Sequence, residues 1–116
     1  MPKTLFPKNF ILPPLAQEFI ARLKITSKPS TCHNYSICLK HLYYFLEKNN
    51  INIKSLTTKH TNTFFATLVD AQLAVVTRRN ITINIRVYLH WLYEQELIDT
   101  HPYDLIRTTD LPRRPL

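Results

Sequence analysis

Residues 31–46 read TCHNYSICLKHLYYFL, and their apolar pattern decides the fold class. Counted from Tyr35, large apolar side chains recur at positions i, i+4, i+7 and i+11. This is the period of one face of an α-helix. Ser30 or Thr31 can cap this helix, and Asn49-Asn50 favour its end because asparagine tolerates the left-handed conformation. The members of the stripe are Tyr35, Leu39, Leu42 and Leu46, widened by Cys38 and Phe45.

A second stretch, residues 77–92, reads TRRNITINIRVYLHWL and repeats this pattern 46 positions later. The shift places Thr31 on Thr77 and Leu46 on Leu92. Residues 81–85 alternate as a strand would, but the apolar spacing continues at helical period, so we predict a helix from Thr77 to near Gln95. Two interpretations of the overlay stay open: any two capped amphipathic helices align in this way, or both helices serve one surface.

The rest of the chain predicts more helices and no strand. All eight prolines lie outside residues 30–101, so proline interrupts neither central helix. We therefore predict an all-α fold, a single compact bundle of four to five helices over residues 13–107 that follows a leader of residues 1–12. One further helix is predicted to start with Pro13 or Pro14 in its opening turn, one is predicted to be capped by Thr57 or Thr58, and a short one is predicted to follow Pro102.

The composition of the 116-residue chain excludes several function classes. It contains no glycine, so P-loops, dinucleotide-binding fingerprints and tight primed hairpins are poor candidates. The net charge is +7, and residues 19–93 hold ten cations against two acids, Glu47 and Asp70. This excess indicates a polyanionic partner such as nucleic acid or an acidic membrane surface, although a basic surface can also serve solubility alone.

Cysteine and histidine spacing predicts neither a disulfide nor a metal centre. Cys32 and Cys38 would lie on different faces of one helix, and Cys38 with His41 lacks further ligands at zinc spacing. No acid–base or nucleophile arrangement is evident, so we expect no cofactor and no reaction by this chain. The proline-interrupted start is too short for a signal peptide, and no apolar run matches a bilayer, so we expect a cytoplasmic protein with no membrane partner.

Polar and basic side chains gather at the predicted starts of the two central helices, Thr31-Cys32-His33-Asn34 and Thr77-Arg78-Arg79-Asn80. A helix N-terminus suits a phosphate, while arginine can read guanine and asparagine can read adenine in a major groove. Arginines at a helix start are unfavourable unless an anion binds there; two solvated arginines are the other interpretation. The candidate DNA-binding residues are Lys28, Thr31, His33, Asn34, Lys40, Thr77, Arg78, Arg79, Asn80 and Arg86.

Five segments, in this order, resemble one protein family: Thr31-x-x-x-Tyr35, Leu42–Leu46, Thr77–Ile81, Ile85–Leu92 and Leu97-Ile98-x-x-His101-Pro102. The chain resembles the N-terminal core-binding (SAM-like) domain of tyrosine recombinases of the phage-integrase type. The resemblance implies a helical domain that holds one face of duplex DNA opposite a catalytic domain, with the starts of its second and fourth helices in the major groove. It also implies that residues 108–116 begin the linker to that catalytic domain.

The resemblance has departures and implies partners. The family often has glycine near Gln72 and near Glu96, and it usually has an apolar residue where Thr61 stands here. The catalytic tyrosine, the arginines and the His-x-x-Arg motif of the family are not matched, so no residue is expected to be catalytic. The implied partners are a recombination site in duplex DNA, the catalytic domain of the same protein and a recombinase oligomer. The alternative is a basic helical protein-interaction module that binds an acidic partner.

Overall fold

The computed structural model describes residues 5–107, and these residues form helices and no strand. The all-α prediction is therefore confirmed. A single turn of 3-10 helix, Ile53–Ser55, precedes α3. The helices are α1 (Pro14–Thr26), α2 (Pro29–Lys48), α3 (Thr58–Asp70), α4 (Val75–Glu94) and α5 (Pro102–Leu105).

The starts of α2 and α4 differ from those the sequence predicted. Neither Thr31 nor Thr77 is a cap: Lys28 precedes α2 and Ala74 precedes α4, and neither start has a side-chain cap hydrogen bond. Pro29 can take the first position of α2 because its fixed φ suits a helix and its missing N–H is not needed there. Both helices therefore begin two residues before the threonines.

Helices α2 and α4 are matched in length and in register. Each has 20 residues, and their first residues, Pro29 and Val75, lie 46 positions apart in sequence. Side-chain hydrogen bonds join α2 to α4 at the same separation, which means that the two helices run parallel, side by side. These bonds are Asn80 Nδ2 to Asn34 Oδ1 (3.0 Å) and Asn84 Nδ2 to Cys38 Sγ (3.4 Å). Further along the two helices, the hydroxyls of Tyr43 and Tyr88 are 2.6 Å apart.

The C-terminal ends of α2, α3 and α4 share one backbone motif. Asn50, Gln72 and Glu96 follow the helices with φ of 54°, 60° and 60°. In each case two backbone N–H groups bond back to the last turn, as Glu96 N to Tyr93 O (3.0 Å) and Leu97 N to Leu92 O (2.9 Å) do after α4. Glycine normally occupies this left-handed position. Gln72 and Glu96 each carry a Cβ there, which the left-handed conformation disfavours.

The core lies between α2 and α4 and is closed by α1. Leu39, Leu42, Ile85, Leu89 and Leu92 are fully or almost fully buried. Aromatic side chains complete it: Phe19 of α1 packs on Tyr88 and Trp91 of α4, with ring centroids 5.1 Å and 5.4 Å away. This packing fixes the relative position of the two central helices.

Residues 5–12, which the sequence predicted as a leader, pack along α2. Phe6 makes an edge contact with His41, and Phe10 with Tyr44, at centroid distances of 4.9 Å and 5.6 Å, while Leu12 is buried. His41 is 3% exposed, and its burial lowers its pKa to about 4. This histidine is therefore neutral in the folded protein at neutral pH.

Thr61 shows why a polar residue is accepted inside α3. It is buried, and its hydroxyl donates to the carbonyl oxygen of Leu105 in α5 at 2.8 Å. Thr58 donates likewise to the carbonyl oxygen of Asp104 at 2.8 Å. These two bonds attach the short α5 to α3, so the departure at Thr61 has a structural role.

Within residues 5–107, no helix is long and apolar enough to span a membrane.

Candidate nucleic-acid interface

The starts of α2 and α4 lie next to each other at one end of the bundle. The short connections after α1 and α3 bring each following helix back from this end. The hydrogen bond between Asn34 and Asn80 places the second turns of α2 and α4 in direct contact. The overlay by 46 positions therefore corresponds to neighbours in space, and the interpretation that both helices form one surface has a structural basis.

This end of the bundle is cationic. Lys28 and His33 are exposed at the start of α2, and Arg78 and Arg79 are half-buried at the start of α4. The first turns of α2 and α4 contain no acidic residue, and the cap residues before them make no side-chain cap hydrogen bond. The backbone N–H groups and the helix dipoles add partial positive charge to that of the side chains. Together they form a surface suited to an anion.

Arg78 is held against the chain rather than extended. Its Nε donates to the carbonyl oxygen of Leu73, 3.2 Å away, in the connection before α4. Its own carbonyl oxygen accepts from the hydroxyl of the buried Thr82 at 2.8 Å. These bonds fix the first turn of α4, so Arg78 both positions the helix start and contributes charge to it.

Asn34 and Asn80 are half-buried and use part of their hydrogen-bonding capacity on each other. The sequence had suggested that both side chains contact adenine bases. Such a contact requires one side-chain amide to donate a hydrogen bond to the base and accept another from it. Here the amide groups tie α2 to α4 and set the spacing of the two helix starts. Thr31 and Thr77 are half-buried in the first turns beside them.

Two candidate residues lie away from this end. Lys40 and Arg86 are each eleven residues into their helix, about 16 Å along the axis from its first residue. Lys40 Nζ lies 5.9 Å from the ring centroid of Phe6, and Arg86 lines a pocket between α1 and α4. The structure therefore brings together eight of the ten candidates and separates these two from them.

Sequence reasoning missed two apolar side chains at the cationic end. Ile25, near the end of α1, is 82% exposed, and Val76, in the first turn of α4, is 62% exposed. Their only signal in the sequence was a position outside the apolar stripes. A pocket of about 530 Å³ between α1 and α2 also opens near this end, with Lys24 and His33 in its lining.

Metal chemistry has no support in the part of the chain that the structure describes. No group of three or more histidine, cysteine, aspartate or glutamate side chains there could hold a metal ion. Cys32 and Cys38 are both free and buried, and burial raises the pKa of the Cys38 thiol to about 11. Cys38 is therefore an uncharged core residue that accepts a hydrogen bond from Asn84.

A match to a protein-family model identifies the family of this chain. The model of the phage integrase SAM-like domain matches residues 12–109, a range that includes all five helices. The chain belongs to the phage integrase SAM-like domain family. The resemblance read from the sequence is thus confirmed, and this SAM-like domain is an N-terminal integrase or recombinase domain. No curated protein and no solved structure gives a significant match to the chain.

Proposed function

We propose that this SAM-like domain binds duplex DNA at a recombination site through the paired starts of α2 and α4. The observation that supports this most directly is the parallel, in-register packing of the two helices, which presents two cationic helix starts side by side. Packed helix axes are about 8–10 Å apart, and a major groove is about 12 Å wide. Two adjacent helix starts can therefore meet one groove and its bordering phosphates.

Within this surface the residues have different roles. Arg79, His33 and the two first-turn threonines, Thr31 and Thr77, contact base edges or the nearest phosphates. Lys28 and Arg78 contact phosphates, which orients the domain without reading sequence. Asn34 and Asn80 are positioning residues, because their hydrogen bond sets the separation of the helix starts.

The domain acts as part of a larger recombinase. Residues 108–116, the predicted linker, lie outside the described residues, and we propose that they lead to a catalytic domain on the opposite face of the DNA. That domain would supply the catalytic tyrosine and arginines, so this chain by itself catalyses no reaction. An oligomer of such proteins on DNA is part of the same proposal, which rests on the family and not on a contact in the structure.

A salt titration with labelled duplex DNA tests the proposal. With three or four phosphates contacted, affinity should fall roughly 40- to 150-fold between 50 and 200 mM salt. Fluorescence anisotropy of a labelled duplex with a randomised centre measures this. Binding that is absent at low salt, or indifferent to salt, contradicts the proposal. Salt-dependent binding to an acidic protein without any binding to duplex would favour the protein-interaction module instead.

A charge-matched pair of variants locates the surface. Arg79→Ala should weaken duplex binding roughly tenfold and relax sequence preference, because an arginine at the proposed contact surface is lost. Lys59→Ala removes one charge from the start of α3, at the opposite end of the bundle, and should change affinity less than about twofold. Equal losses from the two variants would show that bulk charge, and not the paired helix starts, binds DNA.

A further inference from the structure

A large apolar side chain, that of Val76, is exposed within the proposed DNA surface. Val76 lies in the first turn of α4 and is 62% exposed. It precedes Arg79 by three residues and Asn80 by four, so the three side chains share one face of α4. The buried residues of this helix begin only at Ile81. Val76 therefore belongs to the surface at the cationic end of the bundle and not to the core.

The neighbours of Val76 indicate which kind of partner it fits. A lone exposed valine is ordinary on a protein surface, but cations surround this one: Arg78 and Arg79 follow it in α4, and Lys28 precedes the adjacent α2. The first turns of α2 and α4 hold no acidic residue. Because the centre of a protein–protein interface is depleted of charge, this arrangement fits better with a polyanion that also carries an apolar group.

The major groove of duplex DNA meets both requirements. Thymine presents a C5-methyl group there, whereas the other groups that distinguish the base pairs are hydrogen-bond donors and acceptors. Packing a valine on the methyl group removes apolar surface from water, which is favourable. Packing the valine on the polar edge of another base takes hydrogen-bonding groups out of water without replacing their partners, which is unfavourable. An apolar side chain in the groove therefore favours thymine.

We propose that Val76 is a specificity-determining residue that contacts the C5-methyl group of a thymine in the recombination site. The contact selects a T·A pair at one position of that site. This inference rests on the proposed binding of duplex DNA by the paired helix starts, and it deepens that function by naming a base that the surface recognises.

Exchange of thymine for uracil tests the contact, because it removes this methyl group and keeps the base pairing. The full 116-residue chain first selects duplexes from a pool with a randomised centre. The selected pool is then copied once with thymidine triphosphate and once with deoxyuridine triphosphate, and fluorescence anisotropy compares the two copies. The parent should select a shared T·A pair and bind the uracil copy roughly two- to fourfold more weakly, since one buried methyl group is lost.

Two matched substitutions locate the contact. Val76→Ala should bring the ratio of the two affinities close to one, mainly by weakening binding to the thymine copy. Val87→Ala makes the same change at another exposed valine of α4, eleven residues further on and about 16 Å along the axis, and should keep the ratio of the parent. Alanine is a better helix former than valine, so Val76→Ala should unfold at the same urea concentration as the parent or a higher one.

Several outcomes overturn the assignment of Val76. They are selection without a shared T·A pair, equal binding of the thymine and uracil copies by the parent, and a parent-like ratio in Val76→Ala. In each case, salt-dependent binding of the selected duplex would still support the paired helix starts as the DNA surface. Absence of duplex binding at low salt would overturn both proposals, so the two failures are distinguishable.

Discussion

The start of α3 and the starts of α2 and α4 satisfy their backbone N–H groups in different ways. At α3 the hydroxyl of Thr57 accepts from the His60 backbone N–H at 3.3 Å, and His60 Nδ1 accepts from the Thr57 N–H at 3.2 Å. This is a complete capping box. Before α2 and α4 stand Lys28 and Ala74, and neither of these cap residues makes a side-chain hydrogen bond to the first turn.

The difference is consistent with the proposed DNA surface, because the helix start with a complete cap is the one that lies outside that surface. An absent cap costs about 1 kcal/mol of helix stability, so α2 and α4 are held by their packing rather than by their first turns. Their first-turn N–H groups, which receive no hydrogen bond from the side chain of the cap residue, lie beside the cations of the proposed DNA surface. A bound phosphate would supply both the acceptors and the negative charge that the sequence omits there.

Acid should lower the stability of the protein through the buried middle of α2 rather than through its exposed start. His41 has its pKa lowered to about 4 by burial, against an ordinary value of 6.5, so the unfolded chain binds a proton before the folded one does. Stability is fully present above pH 6.5 and falls as pH drops towards 4, by about 3 kcal/mol at most.

Urea unfolding at pH 7 and pH 5 measures this loss. His41→Leu should reduce the difference between the two pH values, because it removes the titrating group, whereas His33→Leu at the exposed start should leave it almost unchanged. A parent-like pH dependence in His41→Leu would contradict the assignment.

The two kinds of helix start should respond differently to loss of a threonine. Thr57→Ala breaks the capping box of α3 and should destabilise the protein by about 1–2 kcal/mol. Thr77→Ala removes a side chain that caps nothing, so it should cost less than about 0.5 kcal/mol. Urea midpoints compare the two variants, and equal losses would remove the distinction drawn above.

A designed cap before α4 should raise the stability of the protein and weaken its binding to DNA. Ala74 has the extended backbone of a cap residue, so Ala74→Asp should stabilise α4 by about 1 kcal/mol and should weaken duplex binding by placing a negative charge at the surface. Ala74→Ser is the neutral control, expected to stabilise with a smaller loss of affinity. Thermal unfolding and duplex anisotropy measure both effects; an undiminished affinity in Ala74→Asp would argue against a phosphate at this helix start.

The C-terminal ends give the smallest effect. Glu96 and Asn50 occupy equivalent positions after α4 and α2 with φ of 60° and 54°. Glu96→Gly should stabilise the protein by about 0.5–1 kcal/mol, because the left-handed conformation disfavours a Cβ, and Asn50→Gly should gain less because asparagine tolerates it. A loss of stability in Glu96→Gly, read from its urea midpoint, would show that the carboxylate side chain matters more than the backbone strain.

Local rules account well for some parts of this molecule and poorly for others. The apolar period predicted α2 and α4, Thr57 was correctly suggested as a cap, and Asn50 as a terminator, because each effect acts within one or two turns of chain. The starts at Thr31 and Thr77 were wrong, because Pro29 and the packing of the helices extend them further than a capping signal indicates.

The sequence by itself determined that the chain is helical, that its excess of positive charge lies before residue 94, and that it resembles a recombinase domain. Periodicity, charge and motif order are properties of the chain that need no contact partner. Only the tertiary structure decided that α2 and α4 lie parallel, that Asn34 bonds Asn80, and that Arg86 lies in a pocket away from them. Such facts depend on which helix faces pack together, and that choice minimises exposed apolar area over the whole bundle rather than along any one segment.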